Sequence, residues 1–386
     1  MSSSTSAPAS AAPWRDLFLS HVGTMESPEF TLSTLRRVSS SSSSSFSSSP
    51  AAAAHRRSSL VGQPFFPSHY YYPRARTCIF RGLWANLPHN PKNEAVRNPK
   101  GVWESDFLTF TTDARMDKME ELWVADEVSG GVDLEMRMLR LGSADAISPP
   151  PTDKVGEELW EEGLKREKRD KEGGGGGAGG GAGGGEKRKE EKKEENKFQG
   201  SGGGGPVEAV FWPKETGTQW RVRGRAYVLA PDIETSPEGR EVVALLKSRM
   251  RKLSPPPSSS PSHSFSSSSA AESGQPTWSF TREITAHFGN LSPLMRGSFR
   301  NPPPGRPVSL PFDGDGELGQ KVTDLEDPVA RRNFRVVVIV PEELDQADLS
   351  DPERPRRWIH TYLPGGKGAS GRGVVKGDWE TVEVWP

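Results

Sequence analysis

One cysteine, Cys78, stands among 386 residues, so no internal disulfide is available and the chain fits a reducing, cytoplasmic setting. Hydrophobic residues amount to 33% and the mean hydropathy is −0.66, too little apolar material for a core that runs the whole length. No stretch has the apolar length of a membrane span, and the opening lacks the apolar centre of a secretory signal. That opening is rich in serine and poor in acid, which leaves a mitochondrial location open beside the cytoplasmic one. Fifty Lys and Arg against fifty-one Asp and Glu give a net charge of −1, so neither nucleic acid nor membrane is an expected partner, and any basic site must be local. GxSxG and HExxH are both absent, the seven histidines show no paired spacing, and a lone thiol cannot build a thiolate cluster. Hydrolysis and a dedicated metal site are therefore not expected.

The polar excess is concentrated in three blocks at about 38–69, 142–205 and 254–275, rich in serine, glycine and proline. They read as disordered inserts in one domain covering 12–386, after an unstructured lead of residues 1–11. The second block holds a charged segment, Glu157 to Lys171, with helical potential, and a glycine tract, Gly173 to Gly185. That tract lacks the GxxxxGK[ST] pattern of a phosphate loop.

Between the inserts the residues alternate as strands do or recur as helices do. Trp14, Leu17, Phe18 and Val22 predict a short helix behind Pro13, and Glu29 to Leu35 a strand. Strands are expected from about Arg76 to Gly82 and over Asp106 to Thr112. Asp113 is expected to cap a helix with Met116, Met119, Leu122 and Trp123 on its buried side. Ser236 and Pro237 open another helix, a further one covers Trp278 to Phe288, and Asn333 to Val340 predicts a central strand that Pro341 stops. Two last strands lie at Trp358 to Tyr362 and Trp379 to Trp385. The clearest pattern is the hairpin Val207 to Leu229, where Trp220, Val222, Gly224, Ala226 and Val228 share one face and Gln219, Arg221, Arg223 and Arg225 the other. Taken alone, those arginines read first as a solvated sheet face or a guarded edge.

In order along the chain stand APW at Ala12, FTLSTL at Phe30, RTCIFRG at Arg76, FTTDARMDK at Phe110, TQWRVRGR at Thr218, FRNPPPG at Phe299, NFRVVVIVPEELD at Asn333 and WETVEVWP at Trp379. With these landmarks the chain resembles the pyridoxamine 5′-phosphate oxidase-like family of FMN-binding split barrels, in particular a subgroup that opens with APW. The resemblance implies a mainly β (α+β) fold: a split antiparallel barrel of about six strands with flanking helices. It also implies a homodimer, FMN as cofactor and FMN contacts from Arg76, Thr77, Cys78, Ile79 and Arg81 on one strand. Thr111, Thr112, Arg115 and Lys118 follow from the FTTDARMDK match, and Gln219 and Arg221 from the hairpin. The residue types suit the task, since a phosphate needs cationic and hydroxyl donors and arginine offers a planar fork. The implied activity is hydride transfer between a small-molecule substrate and flavin. No catalytic side chain is named, because the flavin itself carries the redox chemistry. The stretch EELDQADLS after Pro341 lacks the tryptophan found there in authentic pyridoxamine phosphate oxidases, so the substrate is left unassigned. A flavin-binding or interaction scaffold without turnover is the alternative.

Overall fold

The computed structural model describes residues 10–39, 69–123, 198–253, 277–309 and 318–386. The chain divides into two units, one comprising Met1–Glu127 with Asn196–Pro386, the other Val128–Glu195. The second unit lies outside the described residues, and so do most of the expected inserts, the charged segment and the glycine tract within them.

The strands are β1 (Glu29–Ser39), β2 (His69–Ile79), β3 (Trp103–Glu104), β4 (Leu108–Asp113), β5 (Gly202–Phe211), β6 (Thr218–Leu229), β7 (Arg251–Lys252), β8 (Phe334–Asp348), β9 (Arg356–Tyr362), β10 (Val374–Lys376) and β11 (Trp379–Val384). The helices are α1 (Arg15–Val22), α2 (Lys118–Glu121), α3 (Pro237–Arg249), α4 (Phe280–Asn290), α5 (Pro293–Gly297) and α6 (Pro328–Asn333). β2, β1, β5, β6 and β8 are antiparallel neighbours in that order, and β4 pairs with β8. Beyond Ile79 the chain bonds to β4, the Arg81 amide donating to the Thr109 carbonyl at 2.8 Å and the Thr109 amide to that of Gly82 at 3.0 Å. The hydrogen-bond path thus returns on itself, closing a barrel of six strands and removing the open edge that a flat sheet would leave. The far half of β8 leaves β4 and pairs with β9, which leads on to β11 and β10. The expected mainly β fold with flanking helices is the fold observed.

β8 explains why Asn333 to Val340 reads as a continuous apolar run. Val337 and Ile339 enter the barrel core with Phe30, Leu32, Phe110, Phe211 and Trp220, while Val336, Val338 and Val340 pack in a second core against α3 and α4. A strand covered on both faces has no polar side to show. Trp14 at the start of α1 and Phe18 and Val22 on it close the barrel core, whereas Leu17 is exposed. Ser236 caps α3 as expected, accepting from the Gly239 amide at 3.0 Å, and Val242, Leu246 and Met250 form its buried stripe.

Five expectations shift. β2 runs from His69 to Ile79, where the strand was expected from about Arg76 to Gly82. β1 runs through Ser39, past the expected insert boundary at 38. β5 begins at Gly202, although composition had assigned residues up to 205 to an insert. Its glycines are there for space: a Cβ at Gly205 would lie 2.7 Å from the Leu122 carbonyl oxygen, and one at Gly203 would lie 2.9 Å from that of Ala226. Pro341 does not end β8, because it lies opposite Gly224 where the β6–β8 register shifts, a bulge at which a missing amide hydrogen is tolerated. The helix expected from Asp113 shrinks to the single turn α2. Asp113 ends β4 and Met116 stays exposed, because Arg115 folds back onto the Asp113 carboxylate and holds this corner as a turn. Among the described residues no helix is long and apolar enough to cross a membrane.

Candidate functional site

The β1–β2 register decides which side chains meet. Arg76 lies opposite Leu32 and Cys78 opposite Phe30, so both point to the barrel side of β2, while Thr77 and Ile79, opposite Thr31 and Glu29, point outward. At this end of the barrel the Glu121 carboxylate of α2 is 1% exposed and accepts from the Thr34 hydroxyl at 2.5 Å. Arg76 donates to Thr34 Oγ1 at 2.5 Å and forms an ion pair with Glu121, and Arg74 Nε lies 3.8 Å from the same carboxylate.

Lys118, one turn before Glu121, behaves differently. It is half-buried, its Nζ lies 3.3 Å from the Met116 sulfur, and it has no ion pair among the described residues. Burial pulls its pKa below the usual lysine value, with the Arg76 charge adding to this and Cys78, Glu121 and Asp113 opposing it. Burial likewise pushes the Cys78 thiol up, against the nearby charges of Lys118 and Arg76. Cys78 is thus held as a neutral thiol rather than a thiolate nucleophile. The buried Thr112 hydroxyl points to the same Met116 sulfur at 3.5 Å. Arg76, Cys78, Thr112 and Lys118 therefore converge, and the cluster ends in one ammonium without a counterion. A phosphate is a fitting partner for such a group, since it supplies both charge and acceptors.

The other expected residues are dispersed. Thr77, Thr31, Val210, Arg221 and Asp345 form one row across the outer sheet face, which places Thr77 and Arg221 about 14 Å apart at the ordinary strand spacing. Ile79 and Gln219 share that outer face, and Arg221 Nε donates to Gln219 Oε1 at 2.8 Å. Asp345, 4% exposed, takes Arg357 in a two-point pair at 2.8 and 2.7 Å, with Arg221 at 3.8 Å. Thr111 lies on the opposite side of β4 from Thr112, opposite Val336 and half-buried. The Arg115 guanidinium is spent on Asp113 and on the carbonyls of Asn301 at 2.8 Å and Phe299 at 3.3 Å, anchoring the FRNPPPG landmark. Arg81 lines a cavity beside α1 and α4 that Lys118 does not line. Arg223 and Arg225, expected with less force, are tied across the strands to Glu208, Glu343 and Glu342.

Thr34 and Glu121 were not expected in this cluster. Glu121 stands three residues after Lys118, a spacing that puts both on one helix face, and this was the available signal. Thr34 could be found from the β1–β2 register alone.

Residues 64–133 match the family model described as pyridoxamine 5′-phosphate oxidase, FMN-binding domain. The match contains β2, β4 and α2, and so Arg76, Cys78, Thr112 and Lys118, but not the hairpin of Gln219 and Arg221. Among solved structures, a pyridoxamine 5′-phosphate oxidase-related, FMN binding protein from Nostoc punctiforme PCC 73102 aligns over 98% of this chain and 100% of that one, with 13% identity and a TM-score of 0.41. No curated protein matches the sequence. The match is thus to an FMN-binding domain of the pyridoxamine 5′-phosphate oxidase type, and the described residues within it, 69–123, contribute β2 and β4 to the barrel.

Proposed function

We propose that this protein is an FMN-dependent oxidoreductase of the pyridoxamine 5′-phosphate oxidase-like type, working in the cytoplasm as a homodimer. The observation that carries this reading is the unpaired Lys118 ammonium beside Arg76 and Thr112, inside the segment that matches the FMN-binding family. Lys118 would take the flavin phosphate, with Arg76 held at the correct angle by Thr34 and Glu121. Cys78 and Thr112 would line the same end, while Thr77, Ile79, Thr111, Gln219 and Arg221 are the candidates for contacts further along the cofactor. Arg81 and Arg115 are weaker candidates, because one faces a separate cavity and the other is saturated. When bound, the flavin would supply hydride exchange at N5 with a small-molecule substrate. The exposed outer face of Thr31, Ala75 and Thr77 is available for a second copy to cover.

The test is purification, a visible spectrum and FMN titration. Bound flavin at one per chain is expected, and colourless protein that takes up no added FMN overturns the proposal. Reduction of bound flavin by pyridoxamine 5′-phosphate or another amine or alcohol, measured without oxygen, separates an oxidoreductase from a scaffold.

A further inference from the structure

A cavity of about 500 Å³ lies between α1, the segment after β2 and α4, with Arg81 in its lining and Lys118 outside it. Its walls are largely apolar, from Leu19 and Val22 on α1, Leu83 and Leu87 after β2, and Leu291 at the end of α4. Two polar groups in this lining lack partners. His287 is 1% exposed, lies flat on Trp84 with ring centroids 5.7 Å apart, and neither ring nitrogen has a hydrogen-bond partner. Arg81 has a buried Nε without an acceptor, and its side chain makes no ion pair among the described residues. The other cation in the lining, Arg15, is already held by Glu104 at 2.9 Å and Asp106 at 3.1 Å. Among the described residues no aspartate or glutamate lines the cavity.

A half-buried arginine whose Nε is buried without an acceptor and a buried imidazole without a partner each carry a desolvation cost that a ligand would relieve. The volume falls within the range of small-molecule sites, which are mostly apolar with a few converging polar groups. One uncompensated positive charge balances one negative charge, and an N–H of neutral His287 supplies a second donor. We infer that this cavity is a binding site for an organic monocarboxylate, the carboxylate held by Arg81 and His287 and the apolar body by Leu19, Val22, Leu83 and Leu87. Neither Arg76 nor Lys118 lines the cavity, and of the expected FMN contacts Arg81 alone does.

Octanoate and octanol, matched in length, serve as probes for the unaltered full chain, with calorimetry as the readout. Octanoate should bind at least about tenfold more tightly than octanol, the ratio expected when one charge-assisted contact is removed. Arg81→Gln should erase that preference, and His287→Phe, which keeps the stack on Trp84, should reduce it. Lys118→Ala and saturation with FMN should leave octanoate affinity within about twofold, whereas at least tenfold weakening is expected in Arg81→Gln. Equal binding of the two probes, or no binding of octanoate, overturns the inference without any variant having to fold. Displacement of octanoate by FMN also overturns it, by placing the probe in the flavin site. Colourless protein that still prefers octanoate would reject the flavin reading alone.

Discussion

The outer face of β5, β6, β8 and β9 and the α2 end of the barrel are both rich in arginine and lysine, yet they differ in how the charges are used. On the outer face each arginine of β6 has a carboxylate within reach: Arg221 has Asp345, Arg223 has Glu208 and Glu343, and Arg225 has Glu342. At the barrel end Arg76 is paired but Lys118 is not, and in the cavity near α4 neither Arg81 nor His287 has a partner. Cross-strand partners turn positive charge into sheet structure, and a cation without one is what remains for a ligand. Counting basic residues would rank the outer face first; counting unpaired ones reverses the order.

The largest effect expected from this contrast concerns pH. Burial, then the charges of Arg81 and Arg97, hold His287 at a pKa of about 3 in the fold, against the usual 6.5. A folded pKa below the unfolded one means the folded state resists protonation, so the stability is fully present above pH 6.5 and drains away as pH falls toward 3. The whole loss is roughly 5 kcal/mol, from about 1.4 kcal/mol per unit over the shift. Denaturant titrations across that range should show it, and His287→Phe should flatten the slope. A slope unchanged in the variant would show that His287 is already protonated or solvated. The next effect is Glu121→Ala, which strands Arg76 and Thr34. It should cost about 2 kcal/mol, on the low side for a buried pair because the Arg76 side chain keeps 20% exposure.

Much of this was legible from sequence because alternation is a local property. The hairpin faces of Trp220 and Arg221, the double burial of β8 and the Ser236 cap each follow from residues a few positions apart. What was hidden depends on residues far apart in the chain. Gly203 and Gly205 look like linker until Ala226 and Leu122 come within Cβ distance, and Pro341 looks like a strand end until Gly224 faces it. The same holds for the site. The motif FTTDARMDK puts Arg115 and Lys118 side by side as two phosphate donors, and only the packing of residues 299–301 against β4 shows that Arg115 is saturated. Arg81 was grouped with Arg76 by strand position, but the end of β2 at Ile79 lets the chain turn and carries Arg81 toward α4.

The contrast can be sharpened by measuring FMN affinity in Lys118→Ala. A charge-assisted hydrogen bond to phosphate is worth about 1.5–3 kcal/mol, so a loss of about tenfold to a hundredfold is expected with little change in melting temperature. Lys118→Arg should restore most of it. It should also extend binding to higher pH, since the lysine, already below its usual pKa through burial, loses its proton before an arginine would.

The smallest effect should come from Arg223, an arginine held by two carboxylates. Arg223 lies 2.7 Å from Glu208 and 2.6 Å from Glu343, and its side chain is 48% exposed. Exposed pairs of this kind contribute about 0–1 kcal/mol, because water screens the attraction and two long side chains lose freedom in forming it. Arg223→Ala should therefore lower stability by less than about 1 kcal/mol and leave FMN affinity unchanged, although it deletes the same charge as Lys118→Ala. Equal losses of FMN affinity in the two variants would break the contrast, because the outer face would then belong to the site and pairing would no longer separate structural cations from binding ones. Adding Glu343→Ala to Arg223→Ala decides why the first change is small. If the carboxylate is the partner that occupies Arg223, the double variant should lose little more than either single one.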